Sequence, residues 1–146
     1  MTIGPNWVVL DTNIWIFGLR HQPEQPACAQ VLQHLPRLYV KIPRQVQLEL
    51  QANLRHEEMR EFFRLLHRHA GHTDMRWEQV ELARIRTYQR RGCKLGDAAV
   101  AAHLEVLGVG TLVSENRDFL YEIIGLPFRV LRAADFLREL VEVEQN

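Results

Sequence analysis

Four acidic residues stand far apart in the sequence, yet each occupies a position from which it could join one site. Asp11 and Asp118 follow apolar runs that predict strands, and Glu49 and Asp97 fall on the inward faces of predicted helices. Clustered carboxylates repel one another, and burial raises their pKa values unless a cation compensates. Mg²⁺ and Mn²⁺ prefer oxygen ligands. Because such an ion can activate water and stabilise charge on a phosphoryl oxygen, the expected chemistry is phosphodiester hydrolysis.

The first of these acids ends the stretch around which the chain is organised. Val8, Val9 and Leu10 predict a buried parallel strand, so Asp11 lies at the carboxyl end of that strand. In open α/β sheets ligands bind at this edge. Thr12 or Asn13 is predicted to cap a helix that begins at Ile14.

Two helices are predicted to bring carboxylates to the same edge. After Pro43, Glu49 shares a helical face with Val46 and Leu50, although short helices also expose such residues. Asp97 opens a helix that runs to about Leu107 and lies on its apolar face. An Asp near a helix start is also favoured by the helix dipole, but that explanation does not account for its inward position.

The remaining pattern alternates strands with helices, which predicts a mainly parallel sheet with helical crossovers. Further strands are expected at 38–42, 109–113 and 128–131, and residues 73–77 are interpreted as a short connection. Further helices are expected at 26–35, 55–68, 78–91 and 133–143. The inward residues predicted for the second and last of these helices are Met59, Phe62, Phe63, Leu66, Phe136, Leu137, Leu140 and Val141.

Composition limits the electrostatic arguments. The 146 residues are expected to form a single domain, 1–146, and carry 18 Lys and Arg against 18 Asp and Glu, so any attraction to nucleic acid must be local. One local cluster precedes Asp97 and holds five cations without an acid. Its members are Arg84, Arg86, Arg90, Arg91 and Lys94. They are explained equally well by a helix C-terminus, which favours cations, and by contact with phosphates.

The two cysteines and the start of the chain are used to predict the compartment. Cys28 and Cys93 have no metal-type spacing and are expected to be reduced thiols. No signal peptide or membrane span is apparent. A cytoplasmic protein without membrane contact is therefore expected.

Taken together, these segments resemble the PIN-domain ribonucleases, in particular the VapC-type toxins of bacterial toxin–antitoxin pairs. The resemblance starts at Val9-Leu10-Asp11-Thr12-Asn13 and continues through Val46 to Glu49-Leu50. Its most specific parts are residues 94–102, KLGDAAVAA, and residues 112–119, LVSENRDF. The order and spacing of these motifs match over nearly the whole chain.

The resemblance implies a three-layer α/β/α sandwich and a Mg²⁺ or Mn²⁺ site for the hydrolysis of RNA. By position Asp11, Glu49 and Asp97 match the acidic triad of the family. Either Asn116 or Asp118 could fill the fourth position, and Asp118 is preferred. The residues expected to support the site are Thr12, Asn13, Ser114 and Asn116. The resemblance also implies a cognate antitoxin and a homodimer.

The sequence departs from the family pattern in three places. Ser114 stands where Thr is commoner, which keeps the hydroxyl, and Arg44 stands where small polar residues are often seen. The predicted helix from Arg55 and the residues after it, to His72, form a long basic segment. The departures leave the substrate and the partner open.

Three other functions were weighed against the toxin nuclease. The fold could serve as an RNA- or protein-binding module without catalysis, although all four acidic positions are occupied. The chain could also be an RNA-processing nuclease that is not a toxin. A phosphatase or phosphoacceptor domain is disfavoured, because a haloacid-dehalogenase-type phosphatase needs an Asp where Asn13 stands, and a receiver domain needs paired acids that are absent from the sequence.

Overall fold

The computed structural model describes residues 6–145 and contains one five-stranded parallel sheet. The strands are β1 (Trp7–Leu10), β2 (Tyr39–Ile42), β3 (Thr73–Met75), β4 (Thr111–Val113) and β5 (Arg129–Leu131). Their order in the sheet is β3-β2-β1-β4-β5, and every neighbouring pair is parallel. The predicted parallel α/β architecture is confirmed.

Helices flank this sheet in a three-layer α/β/α arrangement. They are α1 (Thr12–Leu19), α2 (Pro26–Gln33), α3 (Arg44–Asn53), α4 (His56–Arg68), α5 (Leu82–Arg90), α6 (Leu95–Leu107) and α7 (Ala133–Gln145). Short 3₁₀ turns occur at Leu35–Arg37 and Ala70–His72, and a π-helical turn spans Asp118–Glu122. Helix α2 packs between α1 and α7, α5 packs on α6, and α3 contacts both α1 and α6.

The central strand is buried because helices cover both faces of the sheet. Val9 and Leu10 have no exposed surface, and Val9 pairs with Lys41 of β2 on one side and with Leu112 of β4 on the other. From β1 the chain continues outward to β2 and β3, whereas β4 leads outward to β5 in the opposite direction. The carboxyl ends of β1 and β4 therefore flank the switch point of the sheet, the usual ligand position in such folds.

Helix α1 starts earlier than predicted. Its first residue is Thr12, and Asp11 is the capping residue, because the Asp11 carboxylate accepts a hydrogen bond from the Thr12 backbone N–H. The expectation that Thr12 or Asn13 caps a helix starting at Ile14 was wrong. The catalytic candidate at the strand end thus also orders the start of the next helix.

The segment from Thr73 to Glu81 also differs from the prediction. Residues Thr73–Met75 form the edge strand β3, which pairs with β2 and lacks the apolar run of a central strand. Helix α5 begins at Leu82 rather than at Glu78. Glu78 instead forms an ion pair with Arg76 at 3.0 Å, which holds this acid at the end of the extended segment.

Two residues predicted to face inward lie at the surface. Phe63 is 48% exposed and Val141 is 47% exposed, whereas Phe62 and Phe136 are buried. Each of the exposed residues is next in sequence to an inward one (Phe62 and Leu140), and one residue turns the side chain by about 100° around a helix. The apolar stripe of both helices is therefore narrower than the sequence suggested.

A partly buried ion pair links the end of α1 to α4 and gives a testable pH dependence. Glu58 accepts hydrogen bonds from Arg20 Nε at 2.8 Å and from the Arg55 backbone N–H at 2.8 Å. Arg20, and then Arg55, lower the pKa of Glu58 to about 2. Since the folded-state pKa lies below the unfolded value, this group stabilises the fold above about pH 4.5, and that contribution is lost as the pH falls towards 2.

We expect Glu58→Gln to lower the free energy of unfolding by about 1–2 kcal/mol at pH 7, as for a hydrogen bond to a charged group. The difference from the unsubstituted protein should shrink between pH 4.5 and pH 2.5 in denaturant unfolding curves. Glu61→Gln is the control on the same helix, because Glu61 pairs with Arg64 at the surface. If Glu58→Gln lowered the free energy of unfolding by the same amount across this pH range, the lowered pKa of Glu58 would be contradicted.

Within residues 6–145, the helices lack the combination of length and apolar character that a membrane crossing requires.

Candidate acidic site

Asp11 lies at the carboxyl end of β1 and is held by the neighbouring strand. Its Oδ2 accepts a hydrogen bond from Ser114 Oγ at 2.7 Å, and its backbone N–H donates to Val113 O at 2.9 Å. Ser114 directly follows β4, so this contact joins the two strands at the switch point. Burial raises the pKa of Asp11 to about 6, and the charges of Glu49 and Asp97 add to the shift, while the hydrogen bonds from Ser114 and Thr12 oppose it.

Glu49 reaches the same edge from α3 and is fixed by Thr12 of α1. The Thr12 hydroxyl donates to Glu49 Oε1 at 2.5 Å, and Gln45 Nε2 donates to Oε2 at 3.3 Å. A Cβ atom built on Gly96 would lie 2.9 Å from Glu49 Oε2. The first turn of α6 therefore approaches Glu49 so closely that a side chain at position 96 would displace the carboxylate.

Asp97 comes from that first turn of α6. Its Oδ1 accepts a hydrogen bond from Asn116 Nδ2 at 3.1 Å. Burial raises the pKa of Asp97, and the charges of Glu49 and Asp118 raise it further, while Asn116 and Lys94 act in the opposite direction. Asp11, Glu49 and Asp97 are thus close enough to perturb one another electrostatically.

The loop after β4 is ordered by side chains that the sequence singled out. Ser114 Oγ accepts from the Asn116 backbone N–H at 3.0 Å, and Asn116 Oδ1 accepts from the Asp118 N–H at 3.0 Å. Asn13 Oδ1 accepts from the Glu115 N–H at 3.2 Å, which connects the loop to α1. The supporting residues predicted from the sequence therefore lie together around Asp11 and Asp97.

Asn116 and Asp118 occupy different positions relative to the acids. Asn116 contacts Asp97 directly, whereas Asp118 Oδ2 lies 3.8 Å from Lys94 Nζ and its side chain is 38% exposed. Asp118 acts on Asp97 through its charge. The preference for Asp118 as the fourth site residue stays a prediction.

The five predicted cations lie on α5 and on the segment that links it to α6. Arg91 lies over the Tyr88 ring and donates to Gly125 O at 3.2 Å, and Arg84 lies 4.0 Å from Glu105. Arg86 and Arg90 are exposed. Lys94 pairs with Asp118 and is the member of this cluster placed beside the acids.

Two residues of this site were missed by the sequence analysis. Gln45 stands one helical turn before Glu49, so the i, i+4 spacing could have identified it as a partner of the carboxylate. Gly96 precedes Asp97, and its lack of a side chain leaves room for the Glu49 carboxylate where α3 and α6 approach each other. No local pattern in the sequence indicates that approach.

The donor set fits a hard divalent cation. Asp11, Glu49 and Asp97 offer oxygen atoms only, and Lys94, the cation that acts on Asp97, is 84% exposed and leaves the pKa of Asp97 raised. In the described part of the chain, however, no three acidic, histidine or cysteine side chains stand close enough to enclose an ion as they are arranged. Asp11 is instead engaged by Ser114 and Glu49 by Thr12.

The Thr12–Glu49 hydrogen bond gives a prediction about positioning. Thr12→Val should lower the rate of any metal-dependent cleavage by about 10- to 100-fold, the usual cost of losing a partner that orients a ligand. Thr12→Ser keeps the hydroxyl and should retain most of the rate. Cleavage rates at saturating Mg²⁺ test this, and equal rates for the valine and serine variants would contradict it.

Comparison with known proteins matches the chain to one domain family and to two solved structures. The model of the PIN domain family matches residues 8–123, which includes all four acids. A crystal structure of VapBC2 from Rickettsia felis bound to a DNA fragment from the promoter is similar in fold, with TM-score 0.59 and 19% identity over 85% of this chain and 98% of that one. PAE2754 from Pyrobaculum aerophilum gives TM-score 0.56 and 18% identity over 92% of this chain and 95% of that one.

No curated protein matches the sequence. Because both structures are less than 25% identical to this chain, they support the fold alone. The family assignment rests on the match to the family model, which covers most of the chain. That match includes β1, α3, the start of α6 and the loop after β4. The chain belongs to the PIN domain family.

Proposed function

We propose that this protein is a Mg²⁺- or Mn²⁺-dependent endoribonuclease that hydrolyses RNA phosphodiester bonds. The observation that carries the proposal is the meeting of Asp11, Glu49 and Asp97, from three elements, at the switch point of the sheet. Burial and mutual repulsion raise the pKa of both Asp11 and Asp97, so a bound cation would stabilise their ionised forms. A bound divalent ion would activate water and stabilise charge on the phosphoryl group.

Each residue of the acidic site has a separate role in this proposal. Asp11, Glu49 and Asp97 would hold the ion, with Asp118 as the fourth acid. Thr12 orients Glu49, and Ser114 orients Asp11, through the hydrogen bonds described above. Asn116 orients Asp97, and Asn13 keeps the loop after β4 against α1.

The cation cluster of α5 and its following segment supplies the surface for RNA phosphates. Lys94 pairs with Asp118 at the rim of the acidic site, and Arg90 and Arg91 are exposed nearby in sequence. Since the chain has no net charge, a local surface of this kind is needed to attract an RNA backbone.

We extend the proposal to the biological role of a toxin in a toxin–antitoxin pair. The support is the resemblance of the motifs to VapC-type toxins and the similarity in fold to the VapBC2 structure. A cognate antitoxin protein and a homodimer follow from the same resemblance, whereas a single domain over 1–146 is proposed from the chain length and a cytoplasmic location from the cysteines. Both cysteines are buried free thiols, which suits a reducing compartment.

A cleavage assay with mapped ends tests the proposed activity. The purified protein, freed of any bound partner, is incubated with structured RNAs and with DNA of the same sequences, in Mg²⁺, in Mn²⁺ and in EDTA. We expect internal cuts in RNA in the presence of either ion and none in EDTA. Tight RNA binding without cleavage in any metal would favour a binding module and contradict the proposal.

A further inference from the structure

The π-helical turn that begins at Asp118 carries an exposed aromatic ring. Phe119 within the turn and Ile123 directly after it are buried, whereas Tyr121 between them is 63% exposed. A hydrogen bond from the Ile123 N–H to Asp118 O at 3.1 Å closes the turn. The buried residues therefore anchor the turn in the core, and the Tyr121 ring is left at the surface a few residues after the fourth acid.

Contacts with the end of β5 place Tyr121 at the edge of the sheet that carries the acids. Arg132 directly follows β5 and donates to Glu115 Oε2 at 3.2 Å. Glu115, followed by the neighbouring Tyr121 side chain, raises the pKa of Arg132. The Glu115 backbone N–H in turn donates to Asn13 of α1. Because β1, β4 and β5 are parallel neighbours, their carboxyl ends share one edge, and Tyr121 lies at that edge.

Two cations of the α5 cluster contact the ends of the segment that holds Tyr121. Lys94 Nζ lies 3.8 Å from Asp118 Oδ2 at the start of the segment, and Arg91 donates to Gly125 O at 3.2 Å at its end. Tyr121 therefore stands beside the surface proposed to hold RNA phosphates. A strand bound along Lys94 and Arg91 would have its bases next to this segment.

An exposed tyrosine ring beside cations is suited to single-stranded nucleic acid. Every base has a π-face, so an aromatic side chain can stack on it while positive side chains hold the backbone. Ile124, three residues after Tyr121, is 85% exposed and adds apolar surface to the same segment. One exposed apolar residue is ordinary in a soluble protein, but here a ring, an apolar neighbour and two cations occur together next to an acidic site.

We infer that Tyr121 stacks on an unpaired base of the RNA next to the bond that is cut, and so positions the substrate. The inference rests on the proposed nuclease function and adds a substrate contact outside the acidic residues. Lys94 and Arg91 hold phosphates near that base, and Arg132 keeps the Tyr121 side chain in place. Bases within a duplex are covered by their stacked neighbours, so the contact requires an unpaired nucleotide.

Binding of RNA hairpins in EDTA tests the contact apart from catalysis. Each hairpin of a set carries the fluorescent adenine analogue 2-aminopurine at a different loop position. Stacking on Tyr121 should quench the fluorescence at a defined loop position. Tyr121→Ala should remove this quenching and weaken binding by about 5- to 150-fold, the range for the loss of one base stack. Tyr121→Phe keeps the ring and should retain both.

Two controls separate this contact from general effects on the surface. Phe63→Ala removes an exposed aromatic ring from α4, a helix without proposed site residues, and should leave affinity and quenching unchanged. The same RNAs annealed to a complementary strand offer no unpaired base, so the unsubstituted protein and Tyr121→Ala should bind them equally. Melting temperatures of the variants check that each one is folded.

Cleavage kinetics in Mg²⁺ test the role in positioning. Tyr121→Ala should raise KM with little change in kcat, because a stacked base is bound in the ground state and in the transition state alike. If affinity, quenching and KM were the same for Tyr121→Ala and the unsubstituted protein, the inference would be overturned and the nuclease proposal would stand. Quenching that depends on Tyr121, without cleavage in any metal, would instead contradict the nuclease proposal.

A protein partner is the other candidate occupant of this surface. If Tyr121→Ala weakens only the binding of a partner protein and leaves RNA affinity and quenching unchanged, Tyr121 is a protein contact and the inference fails.

Discussion

Asp97→Asn is expected to abolish RNA cleavage while it stabilises the metal-free protein. The cleavage rate should fall by more than about 100-fold. Removal of a residue that only orients a metal ligand already lowers activity by about 10- to 100-fold, and Asp97 is proposed as a ligand itself. Asn keeps the size of the side chain and can still accept the hydrogen bond from Asn116. The loss would therefore follow from the missing charge and not from a collapsed site.

The stability change has the opposite sign because of the environment of Asp97. Burial, followed by the charges of Glu49 and Asp118, raises the pKa of Asp97, so the folded state disfavours its ionised form at neutral pH. The helix dipole favours a negative charge in the first turn of α6, but the raised pKa means that this gain is smaller than the cost. We expect the melting temperature in EDTA to rise by about 2–4 °C, which corresponds to roughly 1 kcal/mol.

Asp135→Asn is the matched control. Asp135 also stands in the first turn of a helix, α7, and pairs with Arg138 at the surface. This variant should lose a little stability and keep its cleavage rate. If Asp97→Asn and Asp135→Asn behaved alike in both measurements, Asp97 would be an ordinary helix-start residue and the acidic site would lose its central member.

Local patterns were sufficient to predict the elements that carry the acids. The apolar run before Asp11 predicted β1, and the inward positions of Glu49 and Asp97 followed from helical spacing. Parallel pairing was predicted from alternation alone, because a helix between two strands returns the chain to the end of the sheet where the previous strand began. The sequence was therefore sufficient to name the candidate acids and the strand or helix that carries each one.

The contacts between those elements could not be predicted in the same way. Thr12 donates to Glu49 from 37 residues away, and Ser114 donates to Asp11 from 103 residues away. The close approach of Gly96 to Glu49 depends on how α3 and α6 pack, which no pattern within either helix specifies. Strand β3 was missed for a related reason, since an edge strand with polar residues acquires its structure from its neighbour β2.

The topology explains why these distant residues meet. Strands β1 and β4 are neighbours although more than 100 residues separate Asp11 from Ser114. The first turns of α1 and α6 place Thr12 and Asp97 beside that switch point, and Asn13 of α1 holds the loop after β4 there. A short sheet therefore concentrates the charge of four chain segments in a small volume, at a cost to stability that a cation would relieve.

A divalent cation is therefore expected to stabilise the folded protein strongly. At a concentration of 100 times its dissociation constant, an ion bound only by the folded state adds about 2.7 kcal/mol. For a chain of this size, that shift corresponds to a rise in melting temperature of about 5–10 °C. Thermal unfolding in EDTA, Mg²⁺ and Mn²⁺ measures it, and Ca²⁺ serves to separate site binding from general screening.

The pH dependence of this shift distinguishes site binding from a surface effect. Burial raises the pKa of Asp11 to about 6, so protons compete with the ion for this carboxylate as the pH falls through that value. The metal-induced rise should therefore be clearly smaller at pH 5 than at pH 7.5, and Asp11→Asn should reduce it at both. Asp135→Asn, which changes a surface acid, should leave it intact. A rise that is equal at the two pH values and survives in Asp11→Asn would place the ion elsewhere on the protein, because an ion held by Asp11 must displace its proton.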